Sequence, residues 1–128
     1  MLTVTSDPSS ISEVTKYVNN LISRHKICPQ RQGDIMISMT EAVNNAMIHG
    51  NSMKPEKKVV IRTRCHKDSL EVIVRDEGPG FDYNNVPDPT APENICKCGG
   101  RGVFLMKELS DDIAFKDNGS TVKMSFYL

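Results

Sequence analysis

The apolar positions follow one period in the first third of the chain and another beyond it. Ile11, Val14, Val18, Leu21 and Ile22 recur at helical spacing, which predicts a first helix running to about His25. Ser10 and Glu13 stand at capping-box spacing at its start, and Cys28-Pro29 ends it. A second set, Ile35, Met36, Met39, Ala42, Val43, Ala46 and Met47, shares one broad face. It predicts a helix from near Gly33-Asp34 to Gly50, with Gly50 as a left-handed stop. Alternation good enough for strands then takes over. Lys58 to Cys65 and Ser69 to Arg75 read as strands joined by a turn at His66-Lys67-Asp68. Asp112 to Lys116 and Thr121 to Leu128 form a second such pair, turned at Asp117-Asn118-Gly119. Leu2 to Thr5 reads as a short leading strand, and Gly102 to Leu109 returns to helix.

The resulting order is β-α-α-β-β-loop-α-β-β. Hairpin strands and a block of helices argue for an α+β two-layer sandwich, with helices on one face of a mixed, mostly antiparallel sheet. Regular strand-helix alternation, the mark of a doubly wound sheet, is absent. The segment from Phe81 to Gly100 is rich in Pro, Asn, Asp and Gly. A loop of about 20 residues inside a compact domain is unusual and commonly functional.

Composition narrows the picture. The 128 residues suit one domain, 1–128, with a single core. Sixteen basic and sixteen acidic residues balance, which argues against direct nucleic-acid binding through bulk charge. No stretch has the length of a membrane span and no signal segment leads the chain, so a cytoplasmic location is expected. Cys28, Cys65, Cys96 and Cys98 form no regular framework. Cys96-Lys97-Cys98 is not the C-x2-C knuckle of a structural zinc site, so free thiols are expected.

The polar side of the second helix carries the first candidate chemistry. Ser38, Glu41, Asn45 and His49 gather into a narrow stripe, and the i, i+4, i+8 spacing of the last three aims them at one place. A solvated amphipathic helix would also have a polar side. Magnesium, however, takes few protein oxygens and fills the rest of its shell with phosphate and water. One Asn45 carboxamide oxygen fits that role, and Glu41 one turn away is placed to take a proton. The second candidate is Val74-Arg75-Asp76-Glu77-Gly78-Pro79-Gly80-Phe81. It is good turn chemistry, but it also sets an acid at a strand end beside glycines that let a flat ring approach the backbone. Asp76 could accept a hydrogen bond from an exocyclic amine such as adenine's. The third is Gly99-Gly100-Arg101-Gly102-Val103 running into a helix start, where bare N–H groups seat anions. It matches neither a Walker A loop nor a dinucleotide fingerprint.

Together and in this order, the three resemble the ATP-binding boxes of the superfamily that includes gyrase B, histidine kinases and the mismatch-repair protein MutL. Gly119-Ser120-Thr121 looks like that superfamily's last box. Thr40-Glu41-Ala42-Val43-Asn44-Asn45-Ala46, Arg75-Asp76-Glu77-Gly78-Pro79-Gly80-Phe81-Asp82 and Gly100-Arg101-Gly102-Val103-Phe104-Leu105-Met106 are most similar to the versions in RsbW-like anti-sigma-factor serine kinases. The resemblance spans nearly the whole chain. It implies a Bergerat-type fold binding ATP with Mg2+ under a lid, here Asp82 to Gly99. It implies phosphoryl transfer to a serine of a STAS-type anti-anti-sigma partner, and sequestration of a sigma factor, often as a homodimer. Carried across, Glu41 is the general base and Asn45 the magnesium ligand. Asp76 reads the adenine amine with support from Thr121, directly or through water. Gly78 and Gly80 shape the adenine pocket. Gly100, Arg101, Gly102 and Val103 lie at the phosphates, and His49 stands either near them or as a cap on the helix end. An ATP-binding switch of the same fold without useful kinase activity is the alternative. A histidine-kinase catalytic part would also need a helical phosphoacceptor segment.

Overall fold

In a computed structural model, the chain is described at residues 1–80 and 101–128, with the Arg101 side chain left aside. The strands are β1 (Leu2–Thr5), β2 (Lys58–Cys65), β3 (Ser69–Arg75), β4 (Asp112–Lys116) and β5 (Thr121–Tyr127). The helices are α1 (Ser10–Arg24), α2 (Pro29–Asn45) and α3 (Arg101–Leu109). The five strands make one sheet in the order β1-β2-β3-β5-β4. Every pairing in it is antiparallel, so no parallel pair of the anticipated mixed sheet occurs among the described residues.

Alternation explains the layers. Register sets Ile61 opposite Val74 and Val72 opposite Met124. It also sets Leu70 opposite Phe126. All six are buried, because a strand sends every second side chain to the same face. That face meets Val14, Val18 and Leu21 of α1, and Ile35, Met39 and Val43 of α2, in one core. Arg62, Arg64 and Arg75 on the opposite face are exposed. On that face Lys123 Nζ lies 3.5 Å from Glu71 Oε2.

Three helix boundaries differ from the sequence reading. At α1 the cap is not a Ser10–Glu13 box. Ser10 is already helical and buried, and Asp7 Oδ1 accepts the N–H and hydroxyl of Ser9, each at 2.9 Å. Those two donors hold the Asp7 carboxyl below its ordinary value of 3.8. At α2 the start is Pro29, since a proline that ends one helix is also suited to the first position of the next. Gly33 is thus a helical residue, with open space where a Cβ would be.

The third difference lies at the end of α2. Its last turn, Ala46–Gly50, is a π turn, closed by the Asn51 N–H on the Ala46 carbonyl at 2.8 Å. Gly50 is not left-handed. The reversal falls on Ser52 and Met53, with φ of 52° and 54°.

Candidate functional site

The sheet and α2 bring two of the three motifs together at the π turn. Asp76 follows β3 directly, and its N–H donates to the Ser120 carbonyl at 2.9 Å. Its Oδ1 accepts the Gly78 N–H at 2.7 Å, which closes the turn around the carboxylate. Gly50 and Gly78 explain how closely the turn and the helix end meet. A Cβ on Gly50 would overlap the Asp76 carboxylate, and one on Gly78 would overlap the Gly50 carbonyl oxygen. Gly80 has φ +88° and packs on the Asn118 carbonyl, so both conformation and space require glycine there. Asp76 is half-buried. Loss of water pushes its carboxyl above the ordinary 3.8, against smaller opposite effects of the Gly78 N–H and the Lys57 charge.

The other end of the site is the seam between α2 and α3. A Cβ on Gly102 would lie 2.9 Å from Glu41 Oε2 and 3.0 Å from Asn45 Oδ1. The third motif's backbone therefore sits against both polar groups of the first. Val103 beside it is buried in the core, so its backbone N–H, not its side chain, is what it offers to an anion. Among the described residues no three His, Cys, Asp or Glu side chains gather to hold a metal. A divalent ion here would depend on Asn45 and on oxygens brought by a ligand.

Other expected members stand apart from these contacts. Ser38, expected in the polar stripe, is fully buried with an unpartnered hydroxyl. His49 is exposed and lies within the π turn, so regular i+4 spacing does not carry it from Asn45. The Thr121 hydroxyl donates to Asp117 Oδ2 at 2.9 Å. The direct tie from β5 to Asp76 runs through the neighbouring Ser120 carbonyl instead. Gly100, the Arg101 side chain, the lid assigned to 82–99, and Cys96 with Cys98 lie outside the described residues. Cys28 and Cys65 are free thiols.

One residue was not singled out from the sequence. Asn51 is fully buried although it is polar and stands just before the polar connector expected at Ser52 to Lys57. The only signal was its place directly after Gly50.

Glu41 and Gly50 are nine positions apart on a continuous helical run. At 1.5 Å per residue this is roughly 13 Å. Glu41, Asn45 and the Asp76 carboxylate packed against Gly50 thus lie along one helical run.

Known proteins resemble this chain over most of its length. "Serine-protein kinase RsbW" of Bacillus subtilis is 30% identical, over 98% of this chain and 82% of that protein. Its namesake in Bacillus velezensis is 29% identical over the same shares, and that of Listeria innocua 25% over 99% and 85%. Among solved structures, the histidine kinase domain of the Erythrobacter litoralis EL346 blue-light activated histidine kinase superposes with a TM-score of 0.58 at 18% identity. That match covers 92% of this chain and 59% of the other, and concerns the fold alone. Residues 4–126 match the model of the histidine kinase-like ATPase domain, and the chain belongs to that family.

Proposed function

We propose that this chain is an ATP-dependent protein serine kinase and anti-sigma regulator, acting on a STAS-type anti-anti-sigma partner and holding a sigma factor. The observation that carries the reading is the contact of Gly102 with Glu41 and Asn45. It joins a proton acceptor, an oxygen ligand and a helix N-terminus at one point. The RsbW relatives, which are serine-protein kinases, support serine as the acceptor. The sigma factor, the STAS partner and a homodimeric working form belong to the same proposal and rest on the resemblance of the three motifs to those of RsbW-like kinases.

Asp76 reads the adenine amine, with Gly78 and Gly80 leaving room for the ring. Gly102 and Val103 present first-turn N–H groups of α3 to the phosphates. The donor set fits magnesium, because Asn45 offers a single amide oxygen beside a backbone that no Cβ obstructs. When bound, Mg2+ supplies charge neutralisation on the phosphate oxygens. Glu41 takes the proton of the acceptor serine as its oxygen bonds to the γ-phosphorus. The bond from that phosphorus to the bridging oxygen breaks, and ADP departs with the electron pair. α2 holds Glu41 and Asn45 in place, which matters because phosphoryl transfer asks a protein mainly for position and charge.

The test is transfer of radiolabelled γ-phosphate, with magnesium, to a STAS-domain partner from the same genome. Labelled phosphoserine on the partner is expected. Nucleotide binding with no transfer would favour the alternative, an ATP-loaded switch without useful kinase activity. Indifference to millimolar ATP and ADP would remove both.

A further inference from the structure

Asn51 lies at a junction of four chain segments. Its Nδ2 donates to Ser6 Oγ at 2.9 Å and to the Lys58 carbonyl at 3.0 Å. Its Oδ1 accepts the Glu77 N–H at 2.8 Å. Its own N–H closes the π turn on Ala46. Ser6 Oγ passes its proton on to the Lys57 carbonyl at 2.7 Å. The amide orientation is fixed by chemistry: the Lys58 carbonyl can only accept and the Glu77 N–H can only donate. A carboxylate, which only accepts, could not serve both at once, and a hydroxyl has one hydrogen where Nδ2 serves two acceptors.

Of the side-chain bonds of Asn51, the one to Glu77 reaches the turn that carries Asp76. Glu77 stands between Asp76, whose carboxylate receives the Gly78 N–H, and Gly78, which packs on Gly50. The Asn51 Oδ1 bond therefore fixes the middle of the turn that shapes the Asp76 carboxylate. Ser6 and Lys58 tie the same side chain to β1 and to the start of β2. Fold and turn are joined through a single buried amide.

We propose that Asn51 is a positioning residue for adenine selection, acting through the Glu77 peptide to aim Asp76 at the exocyclic amine. This rests on the assignment of Asp76 to that amine. The two bonds from Nδ2 hold the amide in place, and the bond to Oδ1 transmits its position. A carboxylate at this site keeps the second function and loses the first, and that difference separates positioning from simple support of the fold.

The experiment measures the affinity of the full chain, with magnesium, for ATP and for purine riboside triphosphate, which lacks the exocyclic amine. Wild-type protein is expected to prefer ATP by about tenfold or more, the scale of a hydrogen bond to a charged group. In Asn51→Ala that ratio is expected to collapse toward unity, the loss for ATP exceeding the loss for the analogue. Asn51→Asp keeps an acceptor for Glu77 and is expected to keep most of the ratio while melting at a lower temperature. If Asn51→Ala does not fold, Asn51→Ser, too short to reach Glu77, is read in its place with the same expectation. A folded Asn51→Ala or Asn51→Ser variant with the full ATP preference overturns the proposal. So does an equal fall for both nucleotides. A wild-type protein that binds both nucleotides alike overturns the Asp76 assignment itself, whatever Asn51 does.

Discussion

The proposal gives the two carboxylates Glu41 and Asp76 different work, and single substitutions separate them. Glu41→Gln keeps the size and polarity of the side chain and removes the proton acceptor. Nucleotide affinity should stay within a few-fold, while serine phosphorylation falls by about 10²–10⁴-fold. Unimpaired transfer by that variant would remove Glu41 as the base. Asp76→Asn should cost about tenfold in ATP affinity, measured by calorimetry. It should also change the pH dependence of stability, with a sign that follows from the raised carboxyl. The folded chain binds the Asp76 proton more tightly than the unfolded chain does. Stability therefore falls as pH rises from about 3.8 through the folded pKa. Asp76→Asn lacks that fall, so urea-unfolding curves of the two proteins should match in acid and separate above it, with the variant more stable at neutral pH. Asp7, shifted the opposite way, is common to both proteins and cancels. At this scale Glu41, Asn45 and Asp76 were legible because their residue types announce chemistry at motif spacing. Asn51 was not, because its partners Ser6 and Glu77 stand 45 and 26 positions away.

The elements were read well where one period dominates and less well where two signals compete. β2, β3 and β4 fall at the alternating segments because burial of one sheet face imposes the period directly. Pro29 carries both a stop and a start signal, and only packing of Ile35 and Met39 into the core shows that the start prevails. The π turn left no mark in the apolar repeat. It exists because Gly50 and the Asp76–Gly78 turn must meet, a contact between distant parts of the chain. The two glycines in that contact should respond differently to a methyl group. In Gly50→Ala the intruding atom meets the carboxylate of Asp76, a side chain that can rotate away. ATP affinity should drop about tenfold or more with a small change in melting temperature. In Gly78→Ala it meets the backbone carbonyl of Gly50, which cannot yield without moving the helix end. A destabilisation of about 1–3 kcal/mol is expected, as for other overpacked sites, and thermal unfolding would measure it. Equal effects of the two substitutions on stability would contradict a backbone contact at Gly78 that is stiffer than the side-chain contact at Gly50.

For the whole molecule, α2 and the π turn act as one rod, whose C-terminal stretch from Glu41 to Gly50 carries the proposed phosphate chemistry at its start and abuts the proposed adenine contact at its end. Its buried face is continuous with the sheet core through Ile35, Met39, Ala42, Val43 and Met47, so a ligand spanning both ends should stabilise the entire domain. Binding at one hundred times the dissociation constant contributes about 2.7 kcal/mol. For a domain of 128 residues this raises the melting temperature by about 10 °C. Wild-type protein and Glu41→Gln should both show that rise with ATP and magnesium, since neither binding contact is altered. Asp76→Asn, with about tenfold weaker affinity, should show about half that rise at the same concentration. Asn45→Ala should lose the part of the rise that depends on magnesium and keep the part seen with ATP and a chelator, because Asp76 remains in place at the far end. A thermal-shift matrix of these proteins, with and without magnesium, reads the two ends of the rod separately. An Asn45→Ala response to magnesium equal to that of wild type would move the ion to other ligands and leave the adenine end of the site standing.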